Sequence, residues 1–139
     1  MEEKILILDF GSQYTQLIAR RIRELNIYCE IYPYNKIPKL LKNYFGVILS
    51  GSPYSVHDDN SPNVDIDNFN NLPILGICYG AQLMANKLSC TVLPSKIREY
   101  GRANLSSIDN DSILFNGVGI GSNVWMSHGD SITQVSDKI

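Results

Sequence analysis

The chain opens on a continuous apolar run, Ile5-Leu6-Ile7-Leu8, rather than on alternating apolar and polar residues. Such a run is typical of a parallel strand that helices cover on both faces, and we expect it to be the central first strand. Apolar residues then recur at helical spacing over residues 15–25, which predicts an amphipathic helix. Further strands are predicted over residues 28–32 and 46–49, with a short helix over residues 39–44 between them.

The middle of the chain continues the alternation of strands and helices. A strand is predicted over residues 74–77, and Ala81, Met84, Ala85 and Leu88 follow at the spacing of one helix face. The polar segment 50–63 is predicted to be a loop at the carboxyl end of a strand, where parallel sheets bind ligands. From Thr91 onward the pattern weakens into strand-like pieces over residues 91–93 and 103–107. The predicted fold is therefore α/β, with a mostly parallel sheet, helices on both faces and an antiparallel extension in the C-terminal part.

Composition narrows the class of protein. With 139 residues, 44% of them hydrophobic, and a formal net charge of -2, residues 1–139 are expected to form one domain. The near-neutral charge argues against a nucleic-acid partner, and no apolar run is long enough to suggest a membrane partner. The acidic start lacks the basic region of a signal peptide, so we expect a cytoplasmic protein. Three cysteines without paired ligand spacing favour reduced thiols over a disulfide framework or a metal site.

One of these cysteines lies in a glycine frame, Gly76-Ile77-Cys78-Tyr79-Gly80, directly after a predicted strand. This pattern predicts a nucleophile elbow, a sharp turn that presents one side chain at the N-terminus of the following helix. The positive end of a helix dipole favours the reactive thiolate. The sequence therefore predicts covalent acyl chemistry through a thioester. Cys29 and Cys90 have no such frame and are predicted to be structural.

Acyl transfer also needs hydrogen-bond donors for an oxyanion and a base beside the thiol. The backbone N–H of Tyr79 is one predicted donor, and Gly51 or Ser52 at the end of the neighbouring strand is the other. The chain has two histidines. His57 is predicted to be an exposed loop residue, whereas His128 is a candidate for the base or for orienting a substrate-binding loop.

Five segments of the chain carry a combined signature. They are Asp9-Phe10-Gly11-Ser12-Gln13-Tyr14-Thr15, Ser50-Gly51-Ser52-Pro53, the elbow with Gln82, Arg98-Glu99-Tyr100-Gly101 and Trp125-Met126-Ser127-His128-Gly129-Asp130. Together they resemble the class I (triad-type) glutamine amidotransferases, a flavodoxin-like α/β family. The first and last segments resemble the amidotransferase domain of the glutamine-hydrolysing GMP synthases in particular, and the match spans nearly the whole chain.

The resemblance implies roles for residues at the matching positions. Cys78 would attack the side-chain amide of glutamine, ammonia would leave, and water would hydrolyse the thioester to glutamate. Tyr79 and Ser52 would donate backbone N–H groups to the oxyanion, with Gly51 in the same loop. His128 would then be a loop residue rather than the base. The implied substrate-binding residues are Gln82, Ser127, Gly129 and Asp130.

The sequence departs from the family pattern in two places. Ser52 stands where the family often has a second glycine. The family's catalytic histidine and glutamate come from a His-x-Glu motif, which we expect beyond Ile139. The resemblance further implies no cofactor in this domain, but ATP and Mg²⁺ in an ATP pyrophosphatase (synthetase) domain of the same enzyme, which would aminate xanthosine monophosphate. We therefore expect a fragment of a larger, dimeric enzyme, impaired or inactive by itself.

Two other interpretations stay open at this point. One is an amidotransferase that serves another pathway, such as anthranilate or carbamoyl phosphate synthesis, although the segment from Asp9 to Gln13 argues against it. The other is a non-catalytic binding module on the same scaffold, with Cys78 as a redox sensor, because a fold does not determine a function. A glutamine-like electrophile distinguishes the module from an amidotransferase, since glutamine should block its reaction with Cys78 only in an amidotransferase. The sequence downstream of Ile139 distinguishes the two kinds of amidotransferase, since an ATP pyrophosphatase loop is expected only in a GMP synthase.

Overall fold

The computed structural model of the protein describes residues 3–69 and 71–139. The chain divides into two compact units, of which the first runs to Leu93 and resumes over Asp130–Ile139. The second unit is Pro94–Gly129. Across the described residues, no helix has the length and apolar character that crossing a membrane requires.

The first unit contains a four-stranded parallel sheet. Its strands lie in the order β2-β1-β3-β4, which confirms that the first strand is internal. Leu8 pairs with Leu49 and Leu49 with Gly76, so the carboxyl ends of three neighbouring strands meet at one edge. The loops that follow these strands therefore lie side by side. The strands are β1 (Lys4–Asp9), β2 (Tyr28–Pro33), β3 (Tyr44–Leu49) and β4 (Ile74–Gly76).

Two helices, α1 (Thr15–Glu24) and α2 (Tyr79–Lys87), cover opposite faces of this sheet. Leu6 and Leu8 of β1 belong to a buried cluster that includes side chains of α2. Ile7, between them, belongs to a second cluster with side chains of α1. Successive side chains of a strand point to opposite faces, so an unbroken apolar run is what a sheet covered on both sides requires. The predicted fold class is confirmed.

The C-terminal part contains a separate antiparallel sheet of two long strands, β5 (Thr91–Asn104) and β6 (Asn123–Gln134). The antiparallel extension is thus confirmed, although the sequence pattern divided β5 into pieces and missed β6. The helix predicted over residues 39–44 is wrong. A turn in which Tyr44 N–H donates to Leu41 O at 3.0 Å leads into β3 instead. A segment of this length would form too few helical hydrogen bonds to offset the free-energy cost of nucleating a helix.

A polar cluster links the three strands β1, β2 and β3. The Lys4 ammonium lies 2.9 Å from a carboxylate oxygen of Glu30, and the Tyr44 hydroxyl donates to the other oxygen. The hydrogen bond from Tyr44, followed by the one from Lys4, lowers the pKa of Glu30 below its ordinary value of 4.5. Burial and the neighbouring Glu30 carboxylate raise the pKa of Tyr44.

Replacing Glu30 by glutamine should therefore destabilise the protein in a pH-dependent way. Because the folded-state pKa lies below the unfolded value, the carboxylate's contribution is present above about pH 4.5 and lost as the pH falls through the folded-state pKa. Glu30→Gln should lower the free energy of unfolding by about 1 kcal/mol at pH 7. Urea unfolding at pH 7 and at low pH tests this, with the exposed Glu24→Gln as the matched control. An equal loss at both pH values would contradict the assignment.

Candidate active site

The segment after β4 is a sharp elbow with the cysteine at its apex. Cys78 has φ 50° and ψ -113° and immediately precedes α2. A residue with a Cβ rarely adopts a positive φ, and such strain is typical of functional sites. The Cys78 side chain is exposed, whereas Cys29 and Cys90 are buried. The turn predicted from the glycine frame is therefore present, and its thiol is accessible.

The two glycines of the elbow permit close approaches between backbone segments. A Cβ on Gly76 would lie 2.5 Å from Ala81 N, and one on Gly80 would lie 2.4 Å from Leu49 O. Real Cβ atoms do not approach backbone atoms so closely. The glycines thus let α2 begin directly against the ends of β3 and β4, which holds Cys78 at the carboxyl edge of the sheet.

The predicted oxyanion loop lies against the cysteine. A Cβ built on Gly51 would be 3.6 Å from Cys78 Cβ and equally far from Ser12 Oγ. Tyr79 is the first residue of α2, and the first N–H groups of a helix have no acceptor within the helix. The structure therefore brings Gly51, Cys78 and the start of α2 together, as the sequence predicted. It also adds Ser12, which the sequence analysis did not select.

Ser52 replaces a glycine of the family pattern without backbone strain. In the described part of the chain, the non-glycine residues with positive φ are Asn26, Asn71, Cys78 and Ser89. Ser52 is not among them, so a residue with a Cβ is compatible with the local backbone. Its hydroxyl accepts a hydrogen bond from Tyr54 N–H at 3.3 Å. Its own N–H remains a predicted oxyanion donor.

The side chain of Tyr79 has an anchoring role that the sequence analysis did not identify. It is almost fully buried, and its hydroxyl donates to the carbonyl of Pro62. Burial raises the pKa of this phenol. Its ring lies 5.7 Å from that of Phe10, between centroids. The N-terminus of α2 is thereby fixed to the loop that follows β3 and to the loop that follows β1.

Two predicted substrate-binding residues meet inside the first unit. The amide of Gln82 donates to the backbone carbonyl of Asp130 at 3.1 Å, and both residues are buried. The Asp130 carboxylate accepts a hydrogen bond from Ser55 Oγ at 2.6 Å. Gln82 therefore fixes the main chain of Asp130, and Ser55 fixes its side chain. Direct contact of Gln82 or Asp130 with a substrate stays a prediction.

The segment from Ser127 to Asp130 is part of β6 and not a loop, so the predicted loop conformation is wrong. Along this strand Ser127 is exposed, whereas His128 is half-buried. Within the second unit Gly129 lies against Arg98, since a Cβ there would be 3.5 Å from Arg98 Nε. The glycine and polar residues of this segment give it a composition typical of loops. Its pairing with β5 nevertheless makes it a strand.

Comparison with known proteins identifies the family of this chain. Residues 6–139 match the family model of the class I glutamine amidotransferases. The chain belongs to this family. It is 60% identical over 136 residues to a GMP synthase [glutamine-hydrolyzing] of Cytophaga hutchinsonii and 58% identical over 139 residues to one of Bacteroides fragilis. These matches cover 97% and 99% of the chain but 27% of each relative.

Solved structures of amidotransferases have the same fold. A GMP synthase subunit from Thermoplasma acidophilum matches with a TM-score of 0.79 and 29% identity, over 99% of this chain and 70% of that one. A glutamine amidotransferase of Thermotoga maritima matches with a TM-score of 0.69 at 19% identity, over 94% of this chain and 62% of that one. The second match supports the fold alone. The flavodoxin-like architecture predicted from the family resemblance is thereby confirmed.

The loop that follows β3 contains His57, which is a surface residue, as predicted. His57 is exposed, and its Nε2 lies 2.9 Å from the carbonyl of Val92. It therefore links the loop after β3 to the start of β5. Ser55 lies in the same loop, yet its bond to Asp130 joins positions 75 apart. No local spacing in the sequence could have indicated that pair.

Proposed function

We propose that this chain hydrolyses glutamine as the amidotransferase part of a GMP synthase, with Cys78 as the nucleophile. The observation that carries the proposal is the exposed Cys78 at a strained elbow, with the Gly51 loop packed against it. Family membership and the GMP synthase relatives add support. An accessible thiol at a helix N-terminus beside main-chain donors is the arrangement that acyl transfer requires.

In the first half of the proposed reaction, the Cys78 thiolate adds to the side-chain carbonyl carbon of glutamine. The carbonyl electron pair moves to oxygen, and the N–H groups of Tyr79 and Ser52 stabilise the resulting oxyanion. When the carbonyl reforms, the bond to nitrogen breaks and the nitrogen leaves as ammonia after receiving a proton. The product bound to the enzyme is a γ-glutamyl thioester.

In the second half, water adds to the thioester carbonyl and the sulfur leaves. Glutamate is released and the Cys78 thiol is restored. A general acid must protonate the departing nitrogen, and a general base must activate the water. We assign these steps to a histidine oriented by a glutamate, in the His-x-Glu segment expected beyond Ile139.

The amino-acid end of glutamine is proposed to bind near Asp130. Gln82 and Ser55 hold the main chain and the carboxylate of this residue, so its position is fixed before substrate arrives. A fixed carboxylate suits the ammonium group of an amino acid. Ser127 and Gly129 precede Asp130 along β6 and keep the binding role that the family pattern implies.

The GMP synthase relatives support a proposal for the use of the ammonia. Because the chain spans 27% of the length of its GMP synthase relatives, we propose that a synthetase part of a longer protein uses the ammonia. With ATP and Mg²⁺ that part would aminate xanthosine monophosphate to GMP. Glutamine hydrolysis itself is proposed to need no cofactor. We propose a cytoplasmic location, and a homodimer for the whole enzyme.

A chloroketone analogue of glutamine tests the proposal in the full-length protein that contains this chain. The Cys78 sulfur should displace chloride from the carbon beside the ketone, and peptide mass spectrometry should find the label on Cys78. Glutamine should protect the site, whereas asparagine, shorter by one methylene, should protect it poorly. The buried Cys29 and Cys90 are internal controls. Labelling of Cys78 at the same rate with and without glutamine would favour a binding or redox module instead.

A further inference from the structure

Ser50, at the carboxyl end of β3, has a partner for each of its polar groups and is fully buried. Its N–H donates to Leu8 O at 3.1 Å, and its carbonyl accepts from Gly80 N–H at 3.1 Å. Its hydroxyl accepts from Phe10 N–H and donates to Gly51 O, both at 3.0 Å. One small residue therefore joins the end of β1, the start of α2 and the loop beside Cys78.

The bond to Gly51 O determines the direction of a neighbouring donor. The carbonyl of Gly51 and the N–H of Ser52 belong to the same planar peptide group. The group is trans, so its carbonyl and its N–H point in opposite directions. A hydroxyl that holds the carbonyl in the interior therefore directs the N–H the other way. That N–H is the second donor that the proposed reaction uses.

We propose that Ser50 is a positioning residue, whose hydroxyl orients the Gly51–Ser52 peptide so that Ser52 N–H can receive the oxyanion. The location fits, because Gly51 packs directly against Cys78. The inference rests on the proposed glutaminase function. It assigns Ser50 a role in the rate of the chemical step and none in binding the substrate.

Removal of the hydroxyl separates this role from a structural one. Ser50→Ala keeps the main-chain bonds to Leu8 and Gly80, so the strand end and the start of α2 keep their positions. It leaves the Gly51 carbonyl without the donor that holds it, so the peptide can turn, and it also removes the acceptor of Phe10 N–H. Stabilisation of the developing negative charge should then fall while substrate binding persists.

The test compares two reagents on Cys78 in the full-length protein. For the chloroketone analogue, Ser50→Ala should lower the maximal alkylation rate about 10- to 100-fold, because a misdirected oxyanion donor stabilises the carbonyl oxygen poorly. The concentration at half-maximal rate should stay within about twofold, since the hydroxyl does not bind the substrate. A small methanethiosulfonate, which has no carbonyl, should modify Cys78 at the wild-type rate.

Two further variants serve as controls. Thr15→Val removes another buried hydroxyl, at the start of α1, whose hydrogen bonds go to Asp9 Oδ1 at 2.9 Å and Ser12 O at 3.3 Å rather than to the Gly51–Ser52 peptide. It should leave the alkylation rate near the wild-type value. Ser50→Thr keeps a hydroxyl and should restore most of the rate.

Several outcomes would overturn the assignment of Ser50. These are an equal loss with both reagents, a raised half-maximal concentration at an unchanged maximal rate, the same loss in Thr15→Val, or failure of Ser50→Ala to fold. Failure to fold would show that the hydroxyl is needed by the fold itself. Absence of glutamine protection in the wild-type protein is a separate result, which would contradict the proposed function and this inference with it.

Discussion

Glutamine hydrolysis by the full-length protein should fall by about 10⁴-fold or more in kcat when Cys78 is replaced by alanine. The reason is that no thioester can form without the sulfur, while the N–H groups of the oxyanion loop remain and give only residual catalysis. Alanine keeps the Cβ and hence the strained backbone at φ 50°, so the change isolates the chemistry. Release of ammonia and glutamate measures the effect.

The other two cysteines provide the matched controls. Cys29, a residue of β2, is fully buried against α1, and Cys90 is buried just before β5. Cys29→Ala and Cys90→Ala should lower stability modestly and leave kcat within about twofold at temperatures where both variants are folded. Substantial turnover by Cys78→Ala would show that another group is the nucleophile.

The second large effect is expected on stability. Gly80→Ala should lower the free energy of unfolding by about 3 kcal/mol or more. The new Cβ would lie 2.4 Å from Leu49 O, 2.7 Å from Leu49 Cβ and 2.8 Å from Leu49 C. Backbone atoms of an internal strand cannot move aside as a flexible side chain can, so α2 must shift. Chemical denaturation measures the loss, and slower alkylation of Cys78 should accompany it.

A glycine in β3, the strand that Gly80 packs against, provides the comparison for this variant. A Cβ on Gly46 in β3 would have Pro73 O as its nearest neighbour at 3.7 Å, an ordinary contact. Gly46→Ala should therefore change the free energy of unfolding by no more than about 1 kcal/mol. Equal effects at the two positions would contradict the steric explanation of the elbow glycine.

The strained backbone of Cys78 is kept in place by the contacts around the elbow. The glycines of the elbow bring α2 against the ends of β3 and β4, and Tyr79 fixes the helix start through its buried hydroxyl. Ser50 then connects that helix start to the loop beside the cysteine. A turn that costs free energy is thus maintained by contacts from three strand ends.

The sequence was sufficient to predict structure wherever the pattern lay within a few neighbouring residues. The apolar run of β1 indicated a strand buried on both faces, and the glycine frame indicated an elbow with an exposed thiol. Both inferences rely on sterics and burial within a few neighbouring residues. The end of the neighbouring apolar strand indicated the oxyanion loop, which the structure places beside Cys78. The family resemblance added Gln82, which the structure places beside Asp130.

What the tertiary structure decided involves residues far apart along the chain. Ser55 meets Asp130 across 75 positions, Ser50 meets Phe10 across 40, and β6 is a strand because it pairs with β5. Serines and glycines have weak conformational preferences of their own, so their partners appear only after the sheet has brought the strand ends together. The sequence by itself determined the strand core and the elbow, whereas folding determined which polar groups hold the elbow's surroundings in place.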